Sequence, residues 1–449
     1  MSVPGRTSGA ALDRSGVLSG SVVRQLRGAH LGMLPIVGAL LVIWVVLGAI
    51  NPAFLSAENL VNLTLQSAPT GIIALGVVLV LLVGQIDLSV GSVSGLAAAV
   101  LAVGTVNLDW PVGLAILAAL AVGVVLVLLV GQIDLSVGSV SGLAAAVLAV
   151  GTVNLDWPVG LAILAALAVG VVVGLGYGLL STRLGLASFV FTLAGLLVLA
   201  GVQLRVLGPS GSINIPFESW LVRTVQQGFL APGVAWALVA VVVAGYAGLR
   251  VADHLRRVRA ELPSPGLGRI AIRTAVLAAV LVGTVAYLGT ARGIGYTVVL
   301  FVALVVVVDV LLRRTRWGRS VRAVGGNRRS ALLAGVAVRR TVVSCFVACS
   351  TFAALGGILA AGRLAAANQG TGAADTYLTA IAAAVIGGTS LFGGRGSAWS
   401  ALLGVLVIQS IANGLTLLNL DTATRYIVTG AVLLLAIVVD MLIRGRREV

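Results

Sequence analysis

Long apolar runs broken by short polar stretches set the pattern of this chain. Leu31 to Ile50 forms the first run, about 20 residues without a charge, enough to cross a hydrocarbon layer at about 1.5 Å per helical residue. Comparable runs recur near 70–85, 88–106, 112–130, 135–153, 158–180, 187–204, 233–249, 274–290, 297–312, 342–361, 378–394, 397–418 and 426–443. They are continuous rather than alternating, so they predict spanning helices and not barrel strands. The intervening stretch from Asn51 to Thr70 carries Glu58 and no arginine, and reads as an outer loop. Residues 205–233, with Phe217, Trp220 and few arginines, read as another.

One block is written twice. Residues 76–125 recur without a mismatch at 123–172, so 76–122 and 123–169 are identical tandem copies offset by 47 residues (123 − 76 = 47). That period falls in the range of helical solenoids, but solenoid repeats drift and these have not. A recent duplication or an error of sequence assembly explains the identity better. Either one adds two spans and leaves the parity of later segments unchanged. The predicted fold class is therefore all-α: a polytopic helical membrane protein with about 12 spans plus 2 from the repeat.

Composition agrees. Hydrophobic side chains make up 59% of the chain and charged ones 10%, with a mean hydropathy of +1.14; soluble domains average about 25% charged residues. A soluble enzyme and a disordered chain are both excluded, and the lipid bilayer becomes the first partner. All 29 basic residues are arginine. Without lysine the chain has no Walker phosphate loop and no Schiff-base chemistry. Cys345 and Cys349 share one helix face as packing thiols, His30 and His254 stand alone, and neither a metal site nor a cofactor is predicted.

Arginines cluster at Arg183, Arg250–Arg273, Arg313–Arg340 and Arg444–Arg447. The positive-inside rule explains them more simply than a nucleic-acid surface, so no nucleic-acid partner is expected. Placing every cluster inside gives a cytoplasmic tail at 1–30, a transmembrane domain at 31–443, cytoplasmic loops at 250–273 and 313–341, and a cytoplasmic end at 444–449. Both termini then face the cytoplasm of a multi-pass protein of the cell membrane, and no cleavage pattern marks the first run as a signal peptide.

Three motifs carry candidate mechanism. GQIDLSVGS occurs at 84–92 and 131–139. Its Asp87 and Asp134 are carboxylates between apolar runs, which makes them candidates for a transport role; they and Ser89 and Ser136 equally suit capping of the next helix. GGTSLFGGRGS at 387–397, with Gly387, Gly388, Thr389 and Ser390, is richer in glycine than packing needs and predicts a helix break in a buried or water-lined place. In the 313–340 loop, Gly325 and Gly326 give a turn, Asn327 is an N-cap, Arg328 to Ala334 makes about two turns around Ala331, and Gly335 fits the C-terminal cap. A short helix displayed to the cytoplasm for docking follows.

These motifs, as GQIDLSVGS, AVGGNRRSALLAGV and AVIGGTSLFGGRGS in that order, resemble the permease subunit of ribose/xylose-type sugar ABC importers over roughly residues 35–445. The insert RRVRAELPSPGLGRIAIRTA, preceded by an extra outer segment, is most similar to the D-xylose permease branch. The resemblance implies a coupling helix at Gly325, Gly326, Asn327, Arg328, Ala331 and Gly335 that fits a cleft on a separate ABC ATPase subunit. It also implies an extracytoplasmic sugar-binding protein and a second permease copy, with no catalytic residue in this chain. Two features depart from the family pattern: Tyr377 and Thr379 stand where acidic residues are usual, and the GQIDLSVGS block is doubled. The rival reading is an ion-coupled secondary transporter using Asp87 or Asp134; a membrane scaffold without transport is a third.

Overall fold

The computed structural model describes residues 33–83, 136–184, 188–264, 266–390 and 393–421, with positions 424, 427, 428, 430 and 431. Helix α1 (Leu34–Ile50) and a 3-10 turn (Pro52–Leu55) lead into α2 (Ala57–Val83). Next come α3 (Val137–Ala149), extended by a π turn (Val150–Asn154), α4 (Val159–Arg183) and α5 (Ser188–Leu207). A short strand β1 (Ser212–Asn214) and α6 (Trp220–Gln227) precede a hairpin of α7 (Pro232–Arg259) and α8 (Leu267–Gly289). Then follow α9 (Tyr296–Arg314), α10 (Arg316–Gly326), α11 (Arg328–Leu333), α12 (Val338–Leu364), β2 (Ala366–Asn368), α13 (Ala374–Ile386) and α14 (Ala398–Leu417). Strands β1 and β2 pair antiparallel, with Ile213 opposite Ala367.

Among the described residues, eight helices are long and apolar enough to cross a membrane, and three shorter apolar helices lie in α1, α5 and α13. These eleven coincide with eleven of the expected runs. Runs 88–106, 112–130 and most of 426–443 lie outside the described residues.

Two expectations change. Asn51 to Thr70 is not all loop, because α2 begins at Ala57. Ser56 precedes the helix and its hydroxyl accepts from the Asn59 amide (3.3 Å). The polar residues that suggested a loop find partners in neighbouring helices instead of water: Asn59 and Asn413 exchange side-chain hydrogen bonds (2.8 and 3.0 Å), and Gln409 donates to Gln66 (3.0 Å). The run 378–394 is also not one span. Helix α13 stops at Ile386 after 13 residues, about 20 Å, short of a hydrocarbon core of about 30 Å.

Helix α2 is the centre of the bundle. Of its most apolar 18-residue stretch 89% is buried, against 11% in α7 and in α8, which form a peripheral hairpin. Helix α12 is the other axis, and α4 lies against it along Gly170, Gly174 and Gly178, buried at four-residue spacing. A Cβ on Gly174 would sit 2.6 Å from the Val347 Cα and 2.7 Å from the Phe346 carbonyl oxygen. Close backbone approach of this kind holds helices together in lipid, where hydrophobic drive is weak. Cys345 and Cys349 are buried cysteines of α12 outside any disulfide, as their spacing suggests.

Among the described residues the text of the repeat is met once. Helix α2 ends on the text of the first copy (76–83), and α3 and α4 carry the text of the second (136–169). Deleting 84–130 yields the same polypeptide as deleting 76–122 and joins Val83 directly to Gly131, with GQIDLS leading into α3. The shortened chain keeps every described helix. It is expected to insert and transport at least as well as the full chain, measured as uptake per membrane-inserted protein.

Candidate functional site

Helices α10 and α11 are built from capping chemistry. Thr315 starts α10, its hydroxyl accepting from the Gly318 amide (3.1 Å). Trp317 pins the helix by donating from its indole to Ser344 Oγ on α12 (2.7 Å). The sequence predicted a turn at Gly325 and Gly326; both instead close α10, and the break falls at Asn327, with φ −160° and ψ 110°. This 11-residue helix was hidden because its pattern is arginine-rich rather than apolar. One arginine at its threshold is paired locally, Arg313 with Asp309 at 2.9 Å.

Asn327 Oδ1 accepts from the Ser330 amide (2.9 Å), opening α11 as an N-cap. At the other end Gly335 has φ +79°. Its amide donates to Leu332 and that of Val336 to Ala331, both at 3.0 Å. That pair of bonds is a Schellman motif. Ala331 is buried and anchors the helix, while Leu332 and Leu333 are 63% and 82% exposed. Two leucines held outward on a doubly capped helix of under two turns form a knob that none of the described residues covers.

Behind the knob, three backbones meet. A Cβ on Gly325 would overlap the Leu82 carbonyl oxygen and lie 2.8 Å from the Gly394 amide nitrogen. Gly394 itself donates to the Leu82 carbonyl (3.1 Å) and adopts φ +68°, a conformation that side chains disfavour. The 387–397 loop thus packs on the end of α2 and on α10, and two of the three sequence motifs come together there. Gly387 faces the Ser400 backbone, and Thr389 and Ser390 are buried in the turn. Gly326 has open space where its Cβ would be.

The third motif is divided. Asp87, Ser89 and Asp134 lie outside the described residues. Ser136 is fully buried immediately before α3, but its hydroxyl does not cap that helix. On α3, Gly138 and Gly142 let the 371–373 backbone approach, and Gln203 of α5 donates to the Thr371 and Asn368 carbonyls (2.9 and 3.0 Å). This packing lies beside the β1–β2 pair, at the end of α12 opposite the knob. Tyr377 and Thr379 belong to α13. Among the described residues no group of His, Cys, Asp or Glu is arranged to hold a metal.

Comparison with known proteins gives a consistent set of matches. Residues 112–437 match the family described as Branched-chain amino acid transport system / permease component. The chain is 30% identical over 394 residues to the xylose transport system permease protein of Escherichia coli K12, covering 88% of this chain and 87% of that protein. It is 32% identical over 392 residues to the xylose permease of Haemophilus influenzae Rd, covering 87% and 91%. A shorter stretch of 149 residues is 40% identical to the ribose import permease of Bacillus subtilis 168, covering 33% of this chain and 46% of that one. No solved structure matches this chain.

Proposed function

Because the chain belongs to the branched-chain amino acid transport system / permease component family, among permeases of sugar ABC transporters, we propose that it is the membrane-spanning subunit of an ATP-driven importer of D-xylose or a related monosaccharide. Relatives along nearly the whole chain are transport permeases, and no catalysis is assigned to this subunit. Energy comes from an ABC ATPase on a separate chain, since a chain without lysine has no Walker loop of its own. An extracytoplasmic binding protein delivers the sugar, and two permease copies enclose the pathway. The observation that carries this reading is the knob: a doubly capped helix presenting Leu332 and Leu333 beside exposed arginines suits insertion into a protein cleft and would be wasteful in a mere connection. Asn327, Arg328, Ala331 and Gly335 build it, with Gly325 and Gly326 leading in.

Labelled D-xylose uptake into vesicles, with and without co-expressed ATPase and binding protein, tests the assignment. Uptake that needs both partners is expected. Uptake that needs neither and collapses with the membrane potential would replace it with the ion-coupled mechanism at Asp87 or Asp134.

In this reading both termini, the α10–α11 knob and the α7–α8 tip are cytoplasmic, with about 12 spans plus 2 from the repeat. Helix α7 starts where the Leu230 amide donates to Ile294 (2.9 Å), beside the outer ends of α8 and α9. Its 28 residues carry Arg256, Arg257 and Arg259 to the far side, about 42 Å away. A cysteine at Ser264 is therefore expected to resist a membrane-impermeant thiol reagent in intact cells and to react after permeabilisation. Labelling of intact cells would invert the topology.

A further inference from the structure

Resting on the sugar-permease reading and going beyond it, we propose that Asn59, Asn62 and Gln66 of α2, with Gln409 and Asn413 of α14, line the outer half of the translocation pathway and bind monosaccharide hydroxyls. The face they form is inverted relative to what lipid selects. Between Asn59 and Thr70, every half-buried position of α2 is polar: Asn59, Asn62, Thr64, Gln66 and Thr70. Asn59, Asn62, Gln66 and Thr70 follow the spacing of one helical face (steps of three, four and four), while Leu60, Val61, Leu63 and Leu65 between them are buried. Elsewhere the chain shows what a lipid-facing surface looks like, with Val241, Val276 and Val280 of the peripheral hairpin 60–67% exposed. Half-buried carboxamides at membrane depth, even when paired with one another, belong against water, ligand or another protein surface, not acyl chains.

Position and chemistry both favour a sugar. Gln66 lies 16 residues before Leu82 (82 − 66 = 16), so the ladder starts about 24 Å from the three-backbone junction, toward the opposite membrane face. Each carboxamide offers two N–H donors and an acceptor oxygen, matching hydroxyls that donate and accept at once. In this structure the amides satisfy one another, Asn59 with Asn413 and Gln66 with Gln409. Exchanging amide–amide bonds for amide–hydroxyl bonds conserves the number of hydrogen bonds, so a sugar passes without leaving a buried group unpaired. The five carboxamides are themselves uncharged, as suits a neutral polyol; among the described residues, Glu58 precedes Asn59 in the exposed first turn of α2 and Arg292 donates to Asn62.

The test uses the assembled transporter, with ATPase and binding protein, in proteoliposomes. Gln66→Leu with Gln409→Leu removes the polar rung and keeps apolar bulk between the helices. D-Xylose uptake is expected to fall about tenfold or more, the cost of losing one or two substrate hydrogen bonds, while ATP hydrolysis stimulated by the sugar-loaded binding protein persists. Unchanged uptake would overturn the proposal. A readout independent of that variant's folding is labelling of Asn62→Cys by a membrane-impermeant cationic methanethiosulfonate from the outer side. Modification is expected there and not at Val241→Cys, and failure of Asn62→Cys to react in any nucleotide state would also overturn it. If the unaltered chain takes up no sugar with both partners present, the sugar-permease reading fails, and the labelling still decides whether this face lines a water-filled path.

Discussion

Asn327→Ala combined with Gly335→Val is expected to leave the protein inserted in the membrane while separating ATP hydrolysis from sugar uptake. Removing the Asn327 cap frees the Ser330 amide and costs about 1 kcal/mol. At Gly335 nothing lies within 4 Å of where a Cβ would be, so valine is not crowded there; its penalty is the φ of +79°, about 1–2 kcal/mol for a side-chain-bearing residue. The sum is small against a bundle whose core runs the length of α2 and α12. It is large against a six-residue helix, which has no stability of its own at that length. The knob should therefore fray while the spans persist. The ATPase is expected to hydrolyse ATP without responding to sugar-loaded binding protein, and uptake is expected to fall to near background. Normal coupled uptake in the double variant would sink the docking assignment.

Capping was the part of the site most legible in the sequence. Asn327 and Gly335 announce α11 because each end of a helix leaves four backbone groups to satisfy, and few residue types do so at those positions. The spans were legible for a similar reason: lipid offers no partner for a peptide group, so apolar runs must be helices. Concealment followed where polar residues were satisfied by distant ones. Asn59 and Gln66 look like loop residues until Asn413 and Gln409, more than 340 positions away, are seen to pair with them. A spacing of seven between Asn59 and Gln66, and of four between Gln409 and Asn413, was the available signal. Helix α10 was hidden differently, since its packing against α2 and α12 rests on Trp317, Val321 and Val324, interleaved with Arg316, Arg319 and Arg322. The half-length of α13 showed in the glycines that follow it, whereas their contact with Leu82 and Gly325 is tertiary and left no local trace.

Gly325→Val is expected to be the most damaging single change where α10 meets α2, and Gly326→Ala nearly silent. The two glycines are adjacent and read alike in sequence, yet a Cβ on Gly325 would overlap the Leu82 carbonyl oxygen and approach the Gly394 nitrogen at 2.8 Å, while one on Gly326 meets nothing within 4 Å. The atoms in the way are backbone, so no rotamer change relieves the clash. Relief requires α10 to separate from the end of α2, which strains the Gly394 bond to Leu82 (3.1 Å) and exposes Val321 and Val324. Overpacking of this sort costs about 1–3 kcal/mol, here concentrated at the point where the knob, the 387–397 loop and α2 join. Because α2 carries the carboxamide ladder at its other end, the proposed docking helix and the proposed outer pathway are joined by one continuous helix. Thermal stability in detergent and sugar uptake, measured for both variants, separate the possibilities. A lowered melting temperature with uptake reduced about tenfold or more is expected for Gly325→Val. Wild-type behaviour of both variants would show that the three backbones move independently.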